Sequence, residues 1–250
     1  MESPSNSSAT VDTITTLRVE LMITLYKKSV FAAYEEENVP VIANTVNTKG
    51  VMGAGLALEF KLRFPHYFDN YRERCSRERP LPGSAWIFQE ENSPAVISLF
   101  VKEDWKRPSR LSWIRSSLKH AEEIIMENNF ERVALPLAGA GKGGIDPQTS
   151  EDIIKEVFES SKTEILLCLD RIPSKIEESM MKQLMAMSEH ELKLLSLRPS
   201  IIEKLLDKRD NVARFREILD IRGIGIKTYS LLFYALISRD SGHGDQLNLF

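Results

Sequence analysis

Three stretches of the chain hold residue types whose spacing could support chemistry. Two are glycine loops, residues 44–55 (NTVNTKGVMGAG) and residues 139–144 (GAGKGG), and each lies between an apolar run and an amphipathic segment. A strand that ends in a glycine loop at the start of a helix presents unpaired main-chain N–H groups and the positive end of a helix dipole, which together bind an anion. The third is Lys102, directly after the apolar run AVISLFV. Beside a low-dielectric strand end, a lysine can lose its proton and act as nucleophile or base, although a solvated lysine is the commoner case.

The hydrophobic pattern predicts the elements that would position these residues. Short apolar runs predict strands, the first at MITLYKK and the second ending at Asn44, and periodic apolar positions predict helices after residue 55 and over residues 109–128 and 150–161. The order β-β-α-β-β-α-β-α-β predicts a mixed sheet with helices on both faces. After a boundary at residues 171–173 the pattern is helical only, which predicts a small all-helical domain of four or five short helices over residues 171–240.

Composition narrows the function classes. The chain has 250 residues, 42% hydrophobic and 28% charged, with a net charge of −3, so any nucleic-acid contact must be local. Two cysteines without a CxxC pair indicate a reducing, cytoplasmic setting, and four scattered histidines show no metal spacing. No apolar run reaches the roughly 20 residues that cross a bilayer. Residues 1–21 are expected to form a disordered leader and residues 241–250 a flexible tail.

The segment NTVNTKGVMGAGLALEFKLRFP, residues 44–65, resembles the first ligand loop of the macrodomain family, whose members bind ADP-ribose. Within that family it is most similar to the DNA ADP-ribosyl glycohydrolase antitoxins, the DarG group. The resemblance covers residues 22–170 and implies a three-layer α-β-α macrodomain with a mixed sheet. It also implies removal of ADP-ribose from nucleobases in DNA, in an antitoxin or DNA-repair role. No cofactor or metal would be needed, and a cognate ADP-ribosyltransferase toxin would be a partner.

The same resemblance implies roles for individual residues. Lys102 would attack or protonate around C1″ of the distal ribose, and Asn44 would contact that ribose. Trp105 and Lys106 would hold DNA through stacking and phosphate contact, with packing as the alternative for Trp105. The residues predicted to bind ADP-ribose are Asn44, Asn47, Val51, Met52, Gly53, Gly55, Leu137, Gly139, Ala140, Gly141, Lys142, Gly143 and Gly144.

Other interpretations of these motifs stay open. The second glycine loop matches GxGxxG, and Asp170 ends the next strand, as a dinucleotide site would require. It is not a phosphate-binding P-loop, because Pro136 stands at the first glycine position. Asp146 before Pro147 is interpreted as a helix N-cap rather than a catalytic acid. The resemblance departs at Ser29, where many macrodomains have an aspartate that contacts adenine.

Two motifs lie beyond the predicted macrodomain. Residues 221–228 resemble a helix-hairpin-helix, in which Gly223, Gly225 and Lys227 would bind a DNA phosphate; an ordinary turn between helices is the alternative. Residues 201–240 hold eight Lys and Arg against six Asp and Glu, as contact with a DNA backbone favours. The chain ends in a peptide that resembles the motif for docking on the replication sliding clamp, formed by Gln246, Leu247, Leu249 and Phe250.

Two main hypotheses follow. The chain is either a glycohydrolase acting on ADP-ribosylated DNA or a non-catalytic reader of ADP-ribosylated DNA or protein that is recruited to the clamp. Hydrolysis of protein-linked ADP-ribose or of O-acetyl-ADP-ribose is a third reading. The sequence leaves the modified base undetermined.

Overall fold

The computed structural model describes residues 22–240. The predicted leader and the predicted clamp-docking peptide (Gln246, Leu247, Leu249 and Phe250) lie outside the described residues. The strands are β1 (Ile23–Tyr26), β2 (Val41–Asn47), β3 (Ala85–Phe88), β4 (Ala95–Lys102), β5 (Arg132–Pro136) and β6 (Glu164–Cys168). The helices are α1 (Val30–Glu37), α2 (Gly55–Arg63), α3 (Pro65–Arg77), α4 (Leu111–Glu127), α5 (Pro147–Val157), α6 (Lys175–Ala186), α7 (Glu189–Leu194), α8 (Pro199–Lys208) and α9 (Ile226–Asp240), with short 3₁₀ helices at Arg209–Asn211 and Phe215–Asp220.

The six strands form one sheet in the order β1-β6-β5-β2-β4-β3. All neighbouring pairs are parallel except β3 and β4, so the sheet is mixed, as predicted. One face packs on α4 and α5 through residues such as Ile114 and Ile154. The other face packs on α1, α2 and α3 through residues such as Phe31, Phe60 and Tyr71. The predicted three-layer α-β-α arrangement is therefore confirmed.

Helix α1 corrects the predicted element order, which passed from the first strand directly to the second. The helix was missed because its apolar residues are consecutive, Val30 to Ala33, and a contiguous run shows no helical period. Ser29 is its N-cap, and the Ser29 side chain accepts a hydrogen bond from the Ala32 N–H at 3.2 Å. A short helix with four buried residues in a row is held by packing against the sheet.

The helical part shares its apolar core with the sheet-bearing part. Leu58 and Leu62 on α2 are 2% and 4% exposed, and they pack in the same cluster as Leu184 of α6 and Phe233 of α9. Helix α2 begins at the first glycine loop. Its C-terminal half packs against the helices that follow residue 174. The predicted domain boundary at residues 171–173 stays a prediction, and residues from both sides of it pack in one apolar cluster.

A buried ion network lies at the same junction. The Arg63 guanidinium pairs with Glu35 and with Glu59, the latter at 2.8 Å, and lies 4.6 Å from the ring centre of Phe31 and 5.7 Å from that of Phe233. Burial raises the pKa of Glu35 to about 6, because the cost of desolvating its carboxylate exceeds the stabilisation by the charge of Arg63.

Asp170, which follows β6, is held by arginines of the helical part. Its carboxylate accepts a hydrogen bond from Arg214 at 2.7 Å and also pairs with Arg216, and Arg214 bridges to Glu177 at 2.7 Å. These ion pairs therefore occupy the carboxylate of Asp170, which the dinucleotide interpretation assigns to a ribose contact. Within residues 22–240, no helix has the length and apolarity that crossing a bilayer requires.

Candidate functional site

The carboxyl ends of β5, β2 and β4, three neighbouring strands, bring the predicted site together. The first glycine loop begins within the end of β2 and leads into α2, so residues 48–54 are the connection between these elements. The second glycine loop lies within the connection from β5 to α5, residues 137–146. Because parallel strands end at the same edge of a sheet, the two loops and Lys102 at the end of β4 meet there. A Cβ added to Gly55 would lie 3.9 Å from Cγ of Lys142, which shows how closely the loops approach.

Lys102 is bonded to both loops. Its main-chain carbonyl accepts a hydrogen bond from the Thr48 N–H at 3.1 Å, and its Nζ donates to the carbonyl oxygen of Lys142. The residue is only 9% exposed. Burial lowers the pKa of the Lys102 ammonium below its ordinary value, and the charge of Asp104 opposes that shift. The amine thus lies between the two loops predicted to bind an anion, in surroundings that lower its pKa.

The first glycine loop leads to a helix terminus that carries no side-chain cap. The N-cap of α2 is Ala54, which makes no capping hydrogen bond, and Gly55 adopts a φ of +55°. The first N–H groups of a helix lack intrahelical partners, so this end can receive an anion. Val51 is 37% exposed beside it, whereas Met52 is 2% exposed and packs in the core, so the ligand contact of Met52 stays a prediction.

The second glycine loop folds on itself through main-chain hydrogen bonds. The Ile145 N–H donates to Gly139 O at 3.1 Å, and the Gly144 N–H donates to Gly141 O at 3.2 Å. Asp146 caps α5 by accepting a hydrogen bond from the Thr149 N–H at 3.0 Å, which confirms the N-cap interpretation. Of the predicted contacts in this loop, Gly139 and Gly143 are buried, and the more accessible ones are Leu137, Ala140, Gly141, Lys142 and Gly144.

Comparison with known proteins identifies this architecture. Residues 43–154 match the Macro domain family. This part of the chain is a macro domain. The chain is 35% identical over 121 residues to the DNA ADP-ribosyl glycohydrolase of Mycobacterium tuberculosis strain H37Rv, covering 47% of this chain and 34% of that protein. It therefore spans about a third of the length of that relative.

Two further relatives extend this finding. The solved macrodomain of Mycobacterium tuberculosis DarG superimposes with a TM-score of 0.54 at 29% identity, covering 58% of this chain and 96% of that one. A Thermosipho africanus protein named as a fusion of DNA ADP-ribosyl transferase and DNA ADP-ribosyl glycohydrolase is 27% identical over 123 residues, covering 41% of this chain and 31% of that protein.

Asn44 lies inside β2 and not at its end, where the sequence predicted it. Strand β2 runs on to Asn47, so Asn44 lies inside the strand and is 0% exposed. Its Nδ2 donates to the hydroxyl of Tyr67 at 3.2 Å, and that hydroxyl is 2.7 Å from Oγ of Ser98. The Asn44 Nδ2 also lies 4.0 Å from Sδ of Met52. Asn44 therefore supports the first loop from beneath, while its Oδ1 makes no hydrogen bond, and the ribose contact stays a prediction.

Asn47 shapes the first loop. Its Oδ1 accepts hydrogen bonds from the N–H groups of Lys49 at 2.9 Å and Val51 at 3.4 Å, and its Nδ2 donates to Val51 O at 2.7 Å. The side chain therefore holds the loop in an Asx-type turn, the alternative role that asparagine in a loop suggests. A ribose contact by Asn47 stays a prediction.

Trp105 and Lys106 lie on a segment fixed between the loops. The carbonyl of Glu103 accepts a hydrogen bond from the Thr48 hydroxyl at 2.9 Å, and the Ser109 N–H donates to Gly143 O at 2.9 Å. Trp105 is 53% exposed, with Nζ of Lys106 5.0 Å from its ring centre. This exposure favours the stacking role over the packing alternative, and DNA contact by Trp105 and Lys106 stays a prediction. Thr48 and Ser109 were missed because nothing local marks a residue that joins distant loops.

The remaining predicted DNA-binding residues lie in the helical part. Gly223 adopts a φ of +100° in the turn between the second 3₁₀ helix and α9, and Gly225 and Lys227 flank the start of α9. The element before the turn is 3₁₀ rather than α-helical, so it departs from a regular helix-hairpin-helix. Within residues 22–240, no three His, Cys, Asp or Glu side chains cluster as metal ligands would.

We expect Gly143→Ala to damage the second loop, whereas Gly141→Ala leaves it folded. A Cβ at Gly143 would overlap the carbonyl oxygen of Gly139, which is backbone and cannot rotate away. A Cβ at Gly141 would meet nothing within 4 Å. The first change should lower the free energy of unfolding by about 1–3 kcal/mol, as overpacking does. Thermal unfolding measures both variants, and a Gly143→Ala protein as stable as the wild type would contradict the described loop.

Proposed function

We propose that the macro domain is an ADP-ribosyl glycohydrolase that removes ADP-ribose from a nucleobase in DNA. One observation carries the proposal: a desolvated amine, Lys102, lies between two glycine loops suited to hold a diphosphate from both sides. The names of the Mycobacterium tuberculosis relative and of the Thermosipho africanus fusion support the activity and the DNA substrate. The fusion also supports a cognate ADP-ribosyltransferase as partner.

In this mechanism the neutral Lys102 amine attacks C1″ of the distal ribose. The bond from C1″ to the base nitrogen breaks, and its electron pair leaves with the base, which takes up the proton that the lysine nitrogen loses on bonding to C1″. Water then displaces the lysine nitrogen from C1″ and releases ADP-ribose, while the amine returns to its starting form. The loops contribute main-chain N–H groups to the diphosphate, and binding energy gained there holds the anomeric carbon at the amine.

A non-catalytic reader is the second candidate, and one contact favours it. The Nζ of Lys102 donates a hydrogen bond to Lys142 O, so the lysine could serve only to join the loops. A reader would bind ADP-ribosylated DNA or protein and release nothing.

The test incubates the wild-type protein with ADP-ribosylated DNA, RNA and protein substrates and measures the free ADP-ribose. Release from the DNA substrate is the expected result. Binding without release would favour the reader, and release from the protein substrate alone would move the activity to another substrate class.

A further inference from the structure

A groove of about 700 Å³ lies in the helical part. Its cationic side chains are Lys204 and Lys208 of α8 and Arg222 of the turn before α9, and Val212 and Ile221 supply apolar surface. None of these residues belongs to the glycine loops or to the segment that carries Trp105. The groove is thus a surface that the proposed reaction does not use.

The three cations converge because α8 and the turn pack together. Lys204 and Lys208 are four residues apart, so they lie on one face of α8, and both are exposed. The Nζ of Lys204 lies 3.4 Å from the Cβ position of Gly223, next to Arg222. In the described part of the chain, Lys204 and Arg222 form no ion pair, and Lys208 pairs only with its neighbour Asp207, at 3.0 Å and in solvent. An exposed pair of this kind holds a lysine weakly.

Two acids also line the groove, and their positions differ. The carboxylate of Glu217 accepts hydrogen bonds from the N–H groups of Ala213 at 2.9 Å and Arg214 at 3.1 Å, so it is engaged by the chain's own backbone. Asp220 is exposed, and no ion pair holds it within the described residues. The groove therefore holds three cations against two carboxylates, one of them already hydrogen-bonded by the backbone, and this balance favours an anionic occupant.

We propose that this groove binds the sugar–phosphate backbone of nucleic acid, as a second DNA contact separate from the glycine loops. Lysines act as point charges toward phosphates, and successive phosphates on a strand match cations spaced about one helical turn apart. The apolar surface of Val212 and Ile221 suits the deoxyribose between them. This inference goes beyond the proposed function, since binding of unmodified DNA requires neither the glycine loops nor Lys102.

The test measures the affinity of the full chain for a short unmodified duplex over a range of salt concentrations. Three phosphate contacts predict a slope of about −2.7 in log K against log salt. In K204E/K208E we expect affinity at low salt to fall about tenfold or more. The slope should become shallower by about 1.8, since two of the three phosphate contacts are lost. K162E/K182E is the matched control, because it reverses two exposed lysines outside the groove and changes the net charge equally. K204R/K208R should restore binding.

Several outcomes would overturn the proposal. Equal loss in both charge-reversal variants would show a general charge effect, and wild-type affinity in K204E/K208E would show that the groove is not used. Groove-dependent binding of a poly-glutamate peptide without binding of DNA would assign the groove to an acidic peptide. Thermal unfolding establishes that K204E/K208E folds. The same variants are also assayed for release of ADP-ribose from an ADP-ribosylated mononucleoside. Loss of DNA binding with release retained concerns the groove alone, and absence of release in the wild type concerns the proposed function.

Discussion

Lys102→Ala is expected to lower release of ADP-ribose from ADP-ribosylated DNA by about 10²–10⁴-fold, the scale of losing a group that acts directly at the reacting atoms. The reason is the position of the amine between the two glycine loops. Affinity for free ADP-ribose should change far less, because the contacts we propose for the diphosphate are main-chain N–H groups of the loops. Single-turnover release and calorimetric binding measure the two effects separately.

Lys102→Arg is the control for the structural role of this side chain. Arginine keeps a positive donor that can reach Lys142 O, but its guanidinium stays protonated and cannot attack carbon. We therefore expect wild-type thermal stability and an activity as low as that of Lys102→Ala. An arginine variant that still releases ADP-ribose would assign Lys102 to loop positioning and remove it from the chemistry.

The pH profile follows from the same residue. An amine nucleophile must be neutral, so kcat/KM should be lost as pH falls through the pKa of Lys102. Burial lowers that pKa, so the midpoint of the rise should lie below the 10.5 of an ordinary lysine. Asp104 opposes the shift, and Asp104→Asn should therefore move the rise to lower pH. A shift to higher pH in that variant would contradict the assignment.

Leu62→Ala is expected to produce the largest loss of stability, about 2–5 kcal/mol in the free energy of unfolding. Leu62 is 4% exposed on α2 and packs in the core of the helical part. Since that core is shared, the macro domain and the helices after residue 174 should unfold together. The three tryptophans, Trp86, Trp105 and Trp113, all precede the helical part, so their fluorescence reports the macro domain alone.

The measurement compares tryptophan fluorescence with far-ultraviolet circular dichroism during denaturation. Coincident transitions are expected in the wild type, and both should shift by the same amount in Leu62→Ala. Leu194→Ala is the matched control: Leu194 is 70% exposed on α7, and its truncation should change stability by about 0.5 kcal/mol or less. Two separate transitions in the wild type would show that the halves fold independently.

Much of the fold could be predicted from the sequence because its signals are local. The apolar spacing over residues 109–128 predicts one buried face, and Ile114, Leu118, Ala121 and Ile125 have no exposed surface. Leu111, the fifth position of that stripe, is 47% exposed because it lies in the first turn of α4. Asp146 before Pro147 predicted the N-cap of α5, which needs only neighbouring residues. The glycine loops predicted an anion-binding edge, since loop chemistry and strand order place both at one end of the sheet.

Tertiary structure decided which side chains face the cleft and which support it. The sequence predicts ligand contacts for both Asn44 and Lys102. In the structure Asn44 is buried beneath the first loop and donates to the hydroxyl of Tyr67, whereas Nζ of Lys102 donates to a carbonyl of the second loop. Likewise Leu62 reads as an ordinary position on an amphipathic helix, and only the packing of α2 against α9 shows that it joins the two parts of the chain. A sequence specifies the periodicity of an element directly. The partner of each face depends on contacts between residues far apart in the chain, which no local pattern records.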